Sequence, residues 1–280
     1  MDDVQCWRRT GMVEWKARDI MNTRYPAVDK DETLEQAVRV MRKHDSDRVL
    51  AFEDEKLVGI MTKKDIMMKL ATLRTRNLVV GRLHVSSFMT PDPKTAGPEE
   101  DAASIAQRMI EEGVGSFPVV EGDRVVGLIT RWEVARLVHE LAPDVKAVDV
   151  MVTVPEVLRT TNKVLHARQL LLRYNILFLP VLDEEGRLVG YVTADEVADA
   201  FLAFHDIVPE KYRKERIEHL LVDDIIRLRP PTVSPDSSVA EALEKMEAKK
   251  SKGAVVVHEG RLVGIITLNE LVKLVASRGR

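Results

Sequence analysis

The sequence predicts a mixed fold of the α/β (α+β) class, assembled from four copies of one strand, helix, strand, strand, helix unit. Three observations carry this. The phrase VGIMTKKDIMM from Val58 returns as VGLITRWEVAR from Val126, VGYVTADEVAD from Val189 and VGIITLNELVK from Val263. Each copy runs Gly, two apolar residues, Thr, two variable residues and an acid, and the glycines fall at 59, 127, 190 and 264. A second anchor, ARDIM from Ala17, VSSFM from Val85, AVDVM from Ala147 and VDDII from Val222, precedes those glycines by 42, 42, 43 and 42 residues. A repeat in constant register dictates the architecture before any single element does.

The elements follow in order. The first helix of each copy carries apolar residues at i, i+3, i+4 and i+7: Leu34, Ala37, Val38 and Met41, then Ala102, Ile105, Ala106 and Met109, then Val239, Ala242, Leu243 and Met246. The third copy interrupts that face with Arg168. Two β-rich runs around a polar turn follow, as in FPVVEGDRVVGLIT from Phe117 to Thr130, and predict a hairpin. A second helix begins just after each Thr. The one extra residue of the third copy falls in the turn DEEG, where insertion costs least.

The copies span 13–72, 83–142, 145–204 and 219–278. A unit of this size buries little surface alone, so the copies are expected to pair, the first two as a module over 1–145 and the last two as a module over 146–280. The longest insertion, Phe201 to Leu221, is expected to be a charged helical connection whose KYRKER run faces solvent.

Composition excludes several function classes. Lys plus Arg at 42 against Asp plus Glu at 45 leaves a formal charge of −3, so no global field attracts nucleic acid or an anionic membrane. Any anion site must be local. The single Cys6 has no internal disulfide partner, there is no apolar run of membrane-spanning length, and MDDVQCWRRT lacks the pattern of a secretory signal. These features imply a cytoplasmic protein. The seven histidines stand singly, without HExxH spacing, and no GxSxG, P-loop or GxGxxG motif occurs, so no catalysis is expected. Leu73 to His84 and the terminal RGR carry positive charge but no nucleic-acid-binding motif accompanies them.

The Thr and acid of the repeated phrase admit two uses. Thr130 with Glu133, Thr193 with Glu196 and Thr267 with Glu270 each satisfy the capping box that closes a helix N-terminus. Thr62 with Asp65 differs, because a short carboxylate is suited to accept hydrogen bonds from a diol. Lys63 and Lys64 follow that Thr, where cations oppose the helix dipole, and a bound anion would explain them.

With four copies in register over residues 13 to 275, the sequence resembles the cystathionine-β-synthase (CBS) domain family, whose paired repeats form Bateman modules. The number of repeats is similar to that of the γ subunits of AMP-activated kinase and their archaeal relatives. The resemblance implies adenosine ligands in clefts between paired repeats, with the Thr and acid of the phrase on phosphate and ribose. It implies a phosphate contact for Arg48, although Asp47 stands where those γ subunits often have His. The positions equivalent to Arg48 are Ser116, Phe178 and Ala254, so only the first copy keeps a cation there.

Arg131 occupies the place of Lys63 in the second copy, and Lys252 is a further candidate cation in the fourth. The third copy, with Ala194 and Asp195 after its Thr, has none and is expected to be empty or to take a less charged ligand. By the same resemblance an adenine slot is expected around Tyr25, Pro26 and Ala27 on one side and Ser46 on the other.

The expectation is therefore a non-catalytic sensor of AMP, ADP or ATP, acting on a separate protein through a ligand-dependent rearrangement of its modules, as a monomer or homodimer. Two readings compete with it. One is an S-adenosylmethionine-binding CBS protein, and the other is a ligand-free interaction scaffold whose Thr and acid pairs only cap helices.

Overall fold

Signature and anchor meet in space, and that contact builds the molecule. The computed structural model describes residues 14–70, 82–154 and 156–279. Cys6, the outermost residues assigned to the first repeat and most of the Leu73 to His84 linker lie outside the described residues.

The first repeat runs α1 (Ala17–Ile20), β1 (Ala27–Asp29), α2 (Leu34–Lys43), β2 (Arg48–Glu53), β3 (Lys56–Thr62) and α3 (Lys63–Leu70). The second runs α4 (Val85–Phe88), β4 (Thr90–Pro91), α5 (Ala102–Glu111), β5 (Ser116–Glu121), β6 (Arg124–Thr130), α6 (Arg131–Ala135) and α7 (Val138–Leu141). The third comprises α8 (Ala147–Val150), β7 (Leu158–Arg159), α9 (Val164–Arg173), β8 (Leu179–Leu182), β9 (Leu188–Val192) and α10 (Ala194–Ile207), and α11 (Glu210–Arg216) leads onward. The fourth holds β10 (Arg227–Leu228), β11 (Thr232–Val233), α12 (Val239–Lys249), β12 (Gly253–His258), β13 (Arg261–Thr267) and α13 (Leu268–Arg278).

The amphipathic faces read from the sequence are the buried faces. Leu34, Ala37 and Met41 are fully buried on α2, and Val239, Ala242, Leu243 and Met246 on α12. Side chains cap three of these helices: Thr33, Asp101 and Ser238 accept from the free N–H groups of the first turn. At the other end each helix passes a left-handed residue, Asp45, Gly113, Asn175 or Lys250, which turns the chain back into the next strand. The hairpins follow, each with a register shift at the same point, after Ala51, Val119, Val181 and Val256.

Strand exchange joins repeats one and two. β4 of the second repeat pairs with β3 of the first, Gly59 opposite Pro91, while Asn22 of the first bridges Leu128 on β6 of the second. Repeats three and four repeat the arrangement, with Leu228 opposite Gly190 and Val152 bridged to Ile265. The signature glycines sit under the anchors at these crossings. A methyl on Gly127 would come within 2.5 Å of Met21 Sδ, and one on Gly190 within 2.5 Å of the Arg227 carbonyl oxygen. Only glycine lets the partner's chain approach this closely.

Helices make the other two contacts. α3 packs on α10, so one apolar core is shared by repeats one and three, and α5 and α6 pack on α13, so a second is shared by repeats two and four. The four repeats thus close a ring in the order one, two, four, three.

Three expectations need correction. The fourth-repeat counterpart of Arg48 is Gly253 and not Ala254, because Gly253 lies opposite Thr267 as Arg48 lies opposite Thr62. Arg168 does not disturb the third copy's helix: Nε and Nη2 donate to the carbonyls of Met67 and Met68 at 2.9 and 2.7 Å, reaching across to α3. The Phe201 to Leu221 segment is not a solvated connection throughout. Phe201, Leu202 and Phe204 lie in the core, and Arg213 of the KYRKER run is buried, donating to the Val208 and His205 carbonyls at 2.8 Å. No helix among the described residues is long and apolar enough to cross a membrane.

Candidate functional site

All four Thr and acid pairs have one geometry. In each, the Thr N–H and Oγ1–H both donate to a single carboxylate oxygen three residues on, at 2.8 and 2.6 Å for Asp65, 2.8 and 2.5 Å for Glu133 and Glu196, and 3.0 and 2.6 Å for Glu270. The Thr oxygen in turn accepts from a first-turn N–H, of Asp65, Trp132, Asp195 or Asn269. Asp65 therefore caps as the three glutamates do. Every acid keeps a second oxygen: that of Glu133 accepts from Arg136 at 3.3 Å, and that of Glu270 from Lys273 at 3.4 Å.

The ring brings the candidate cations of three repeats to its centre, and there they meet carboxylates. Arg48 Nε and Nη2 donate to Asp47 at 2.7 and 3.0 Å. Lys252 Nζ reaches the same Asp47 at 2.6 Å and bridges to Asp195 of the third repeat at 2.9 Å. Burial alone would raise the Asp47 carboxyl, but the charges of Arg48 and Lys252 outweigh it and hold the group well below its ordinary range. Burial opposes the charge of Lys252 too, and its two carboxylates more than restore it.

Lys63 and Lys64 are also taken up by the protein. Lys63 Nζ donates to Asp199 at 2.7 Å and Lys64 Nζ to Asn175 at 2.6 Å, both on repeat three. The lysines that oppose the α3 dipole thus have partners across the ring.

Arg131 is the exception. Its guanidinium lies against Gly115 and beside Arg48, and it forms no ion pair among the described residues. Burial, and next the charge of Arg48, push its pKa down to about 10. Burial and Arg131 likewise lower Lys64. A positive charge at this point is electrostatically undersupplied with anions.

Beside this cluster opens a cavity of about 730 Å³, within the range that small-molecule sites occupy. Of the expected contacts, Pro26, Ser46, Lys63, Thr130, Glu133, Glu196 and Lys252 line it, together with Asp47, Asp195 and Asp199. Thr62, Asp65, Arg48, Tyr25, Ala27, Arg131, Thr193, Thr267 and Glu270 do not line it. Tyr25 instead donates from its hydroxyl to the Val125 carbonyl at 3.0 Å, stitching repeat one to repeat two. The cavity therefore joins the strand ends of the first repeat to the Thr and acid pair of the second. Seven basic and seven acidic side chains line it, so it is not a simple basic pocket.

Sequence reading missed Asp47, Asp195 and Asp199 as members of the centre. The available signal was the charge reversal between Lys64 and Asp195 at the same position of repeats one and three.

Known proteins resemble this chain both in sequence and in fold. The family model described as CBS domain matches four times, at 17–72, 85–140, 145–203 and 222–277. Hypoxic response protein 1 of Mycobacterium tuberculosis is 32% identical over 137 residues, covering 47% of this chain and 92% of that protein. An inosine-5'-monophosphate dehydrogenase of Korarchaeum cryptofilum is 33% identical over 123 residues, which are 43% of this chain and 25% of that enzyme. The chain thus spans about a quarter of the dehydrogenase's length. The crystal structure of MJ1225 from Methanocaldococcus jannaschii, proposed as an archaeal homologue of g-AMPK, superposes with a TM-score of 0.77 at 20% identity, covering 92% of this chain and 99% of that one. At that identity the likeness concerns the fold.

Proposed function

We propose, because the chain belongs to the CBS domain family, that it is a non-catalytic regulatory protein binding AMP, ADP or ATP at the centre of its ring. The carrying observation is Arg131, a half-buried guanidinium beside a second guanidinium and without an ion-paired carboxylate among the described residues. A phosphate group supplies the missing anion in the form that guanidinium binds best, through paired N–H donors. The adenosine portion fits the adjoining cavity, between Pro26 and Ser46 of one repeat and Thr130 and Glu133 of the next. The second carboxylate oxygen of Glu133 is the natural acceptor for a ribose hydroxyl.

Regulation follows by linkage. The centre is built from all four repeats, so a ligand there favours one setting of the ring, and a protein partner that distinguishes settings reads the ligand.

Calorimetric titration of AMP, ADP, ATP and S-adenosylmethionine into the wild type and Arg131→Ala tests the reading. Binding of a phosphorylated adenosine near micromolar, about −8 kcal/mol, and at least tenfold weaker in the variant is the expected result. Tighter binding of S-adenosylmethionine than of any nucleotide, or no adenosine binding, would overturn it.

A further inference from the structure

We infer that Asp47 sets how much phosphate charge the centre accepts, acting as a built-in counter-ion that favours a single phosphate group over a triphosphate. The inference rests on the nucleotide reading and adds to it the charge class of the ligand. Asp47 is placed to do this by contact with two cations from different repeats: both oxygens engage Arg48 at 2.7 and 3.0 Å, and one engages Lys252 at 2.6 Å. These are the positions and distances that phosphate oxygens would take on the same cations. The carboxylate therefore occupies part of the anion-binding capacity before any ligand arrives.

Asp195 closes the arrangement from the third repeat, taking Lys252 from its other side at 2.9 Å. Lys63, the cation of the first repeat that lines the cavity beside this cluster, is held by Asp199 at 2.7 Å. Of the five cations gathered at the centre, Arg131 is left without an ion pair among the described residues, and Lys64 is held by the neutral Asn175 amide. A phosphate monoester, close to two negative charges at neutral pH, meets that shortfall. Further phosphates of a triphosphate directed into this cluster would have to displace Asp47 or lie against Asp195 and Asp199, and like charges at contact distance are strongly disfavoured.

The test is calorimetric titration of AMP, ATP and sodium tripolyphosphate into the wild type, Asp47→Asn and Asp195→Asn, with thermal unfolding of each protein recorded first. The wild type is expected to bind AMP at least tenfold tighter than ATP. Asp47→Asn should reduce that preference at least tenfold and strengthen tripolyphosphate binding at least tenfold. Asp195→Asn frees the same lysine from its other side and is expected to move both quantities in the same direction, which carries the test if Asp47→Asn does not fold. A wild type that prefers ATP overturns the inference whatever the variants do. So does a folded variant with an unchanged preference and unchanged tripolyphosphate affinity. If no adenosine ligand binds any of the three proteins, the nucleotide reading fails, and the gain or constancy of tripolyphosphate binding still decides the role of Asp47.

Discussion

Gly190 faces the carbonyl of Arg227 and the side chain of Ile226 so closely that any side chain must move the partner repeat's backbone. Gly59 meets instead the flexible end of Met89. Gly190→Ala is therefore expected to cost about 1 to 3 kcal/mol of stability and Gly59→Ala distinctly less, as urea unfolding of the two variants will reveal. Equal losses would contradict the close-approach explanation. Asp47 gives a second residue-scale prediction. Its carboxyl is held well below the ordinary value of 3.8 by Arg48 and Lys252 against the effect of burial, so the stabilisation is complete above about pH 4 and fades as pH falls through the lowered folded value. Unfolding free energies of the wild type and Asp47→Asn should accordingly converge below pH 4, and a gap that stays constant into the acid would remove Asp47 from the network.

At the scale of the element, α3 is held from outside its own repeat. Arg168 on α9 donates to two carbonyls of its last described turn, those of Met67 and Met68. Arg168→Ala is expected to lose about 2 kcal/mol, measured by denaturant unfolding, while Arg168→Lys recovers part of it. Full stability in the alanine variant would mean water replaces the guanidinium at no cost.

The helices were legible because their information is local: Leu34, Ala37, Val38 and Met41 announce a face by spacing alone. The partners of that face were not. Lys63 and Asp199 are 136 residues apart, and nothing in a single sequence reports such a pair except the matching of opposite charges. The glycines and the anchors were both visible as repeated motifs, yet their contact was invisible because each touches the other repeat's copy and not its own. The basic residues named from the sequence do gather at the centre, but Asp47, Asp195 and Asp199 convert most of them into internal ion pairs.

The whole molecule is a ring in which strand exchange joins repeats one to two and three to four, and helices join one to three and two to four. The apolar helix faces are covered within one chain, α3 by α10 and α5 by α13. Such a ring concentrates its charges where the four repeats meet, and ion pairs there are shared between repeats. The central ion pairs bridge repeats one, three and four, so the anion proposed beside Arg131 would act on contacts on both sides of the ring.

A crystal structure of the chain grown with AMP tests this account most directly. It predicts phosphate oxygens about 2.7 to 2.9 Å from the Arg131 guanidinium, with the base in the cavity beside Pro26 and Ser46. A nucleotide bound with its phosphate away from Arg131 and the centre of the ring would contradict it.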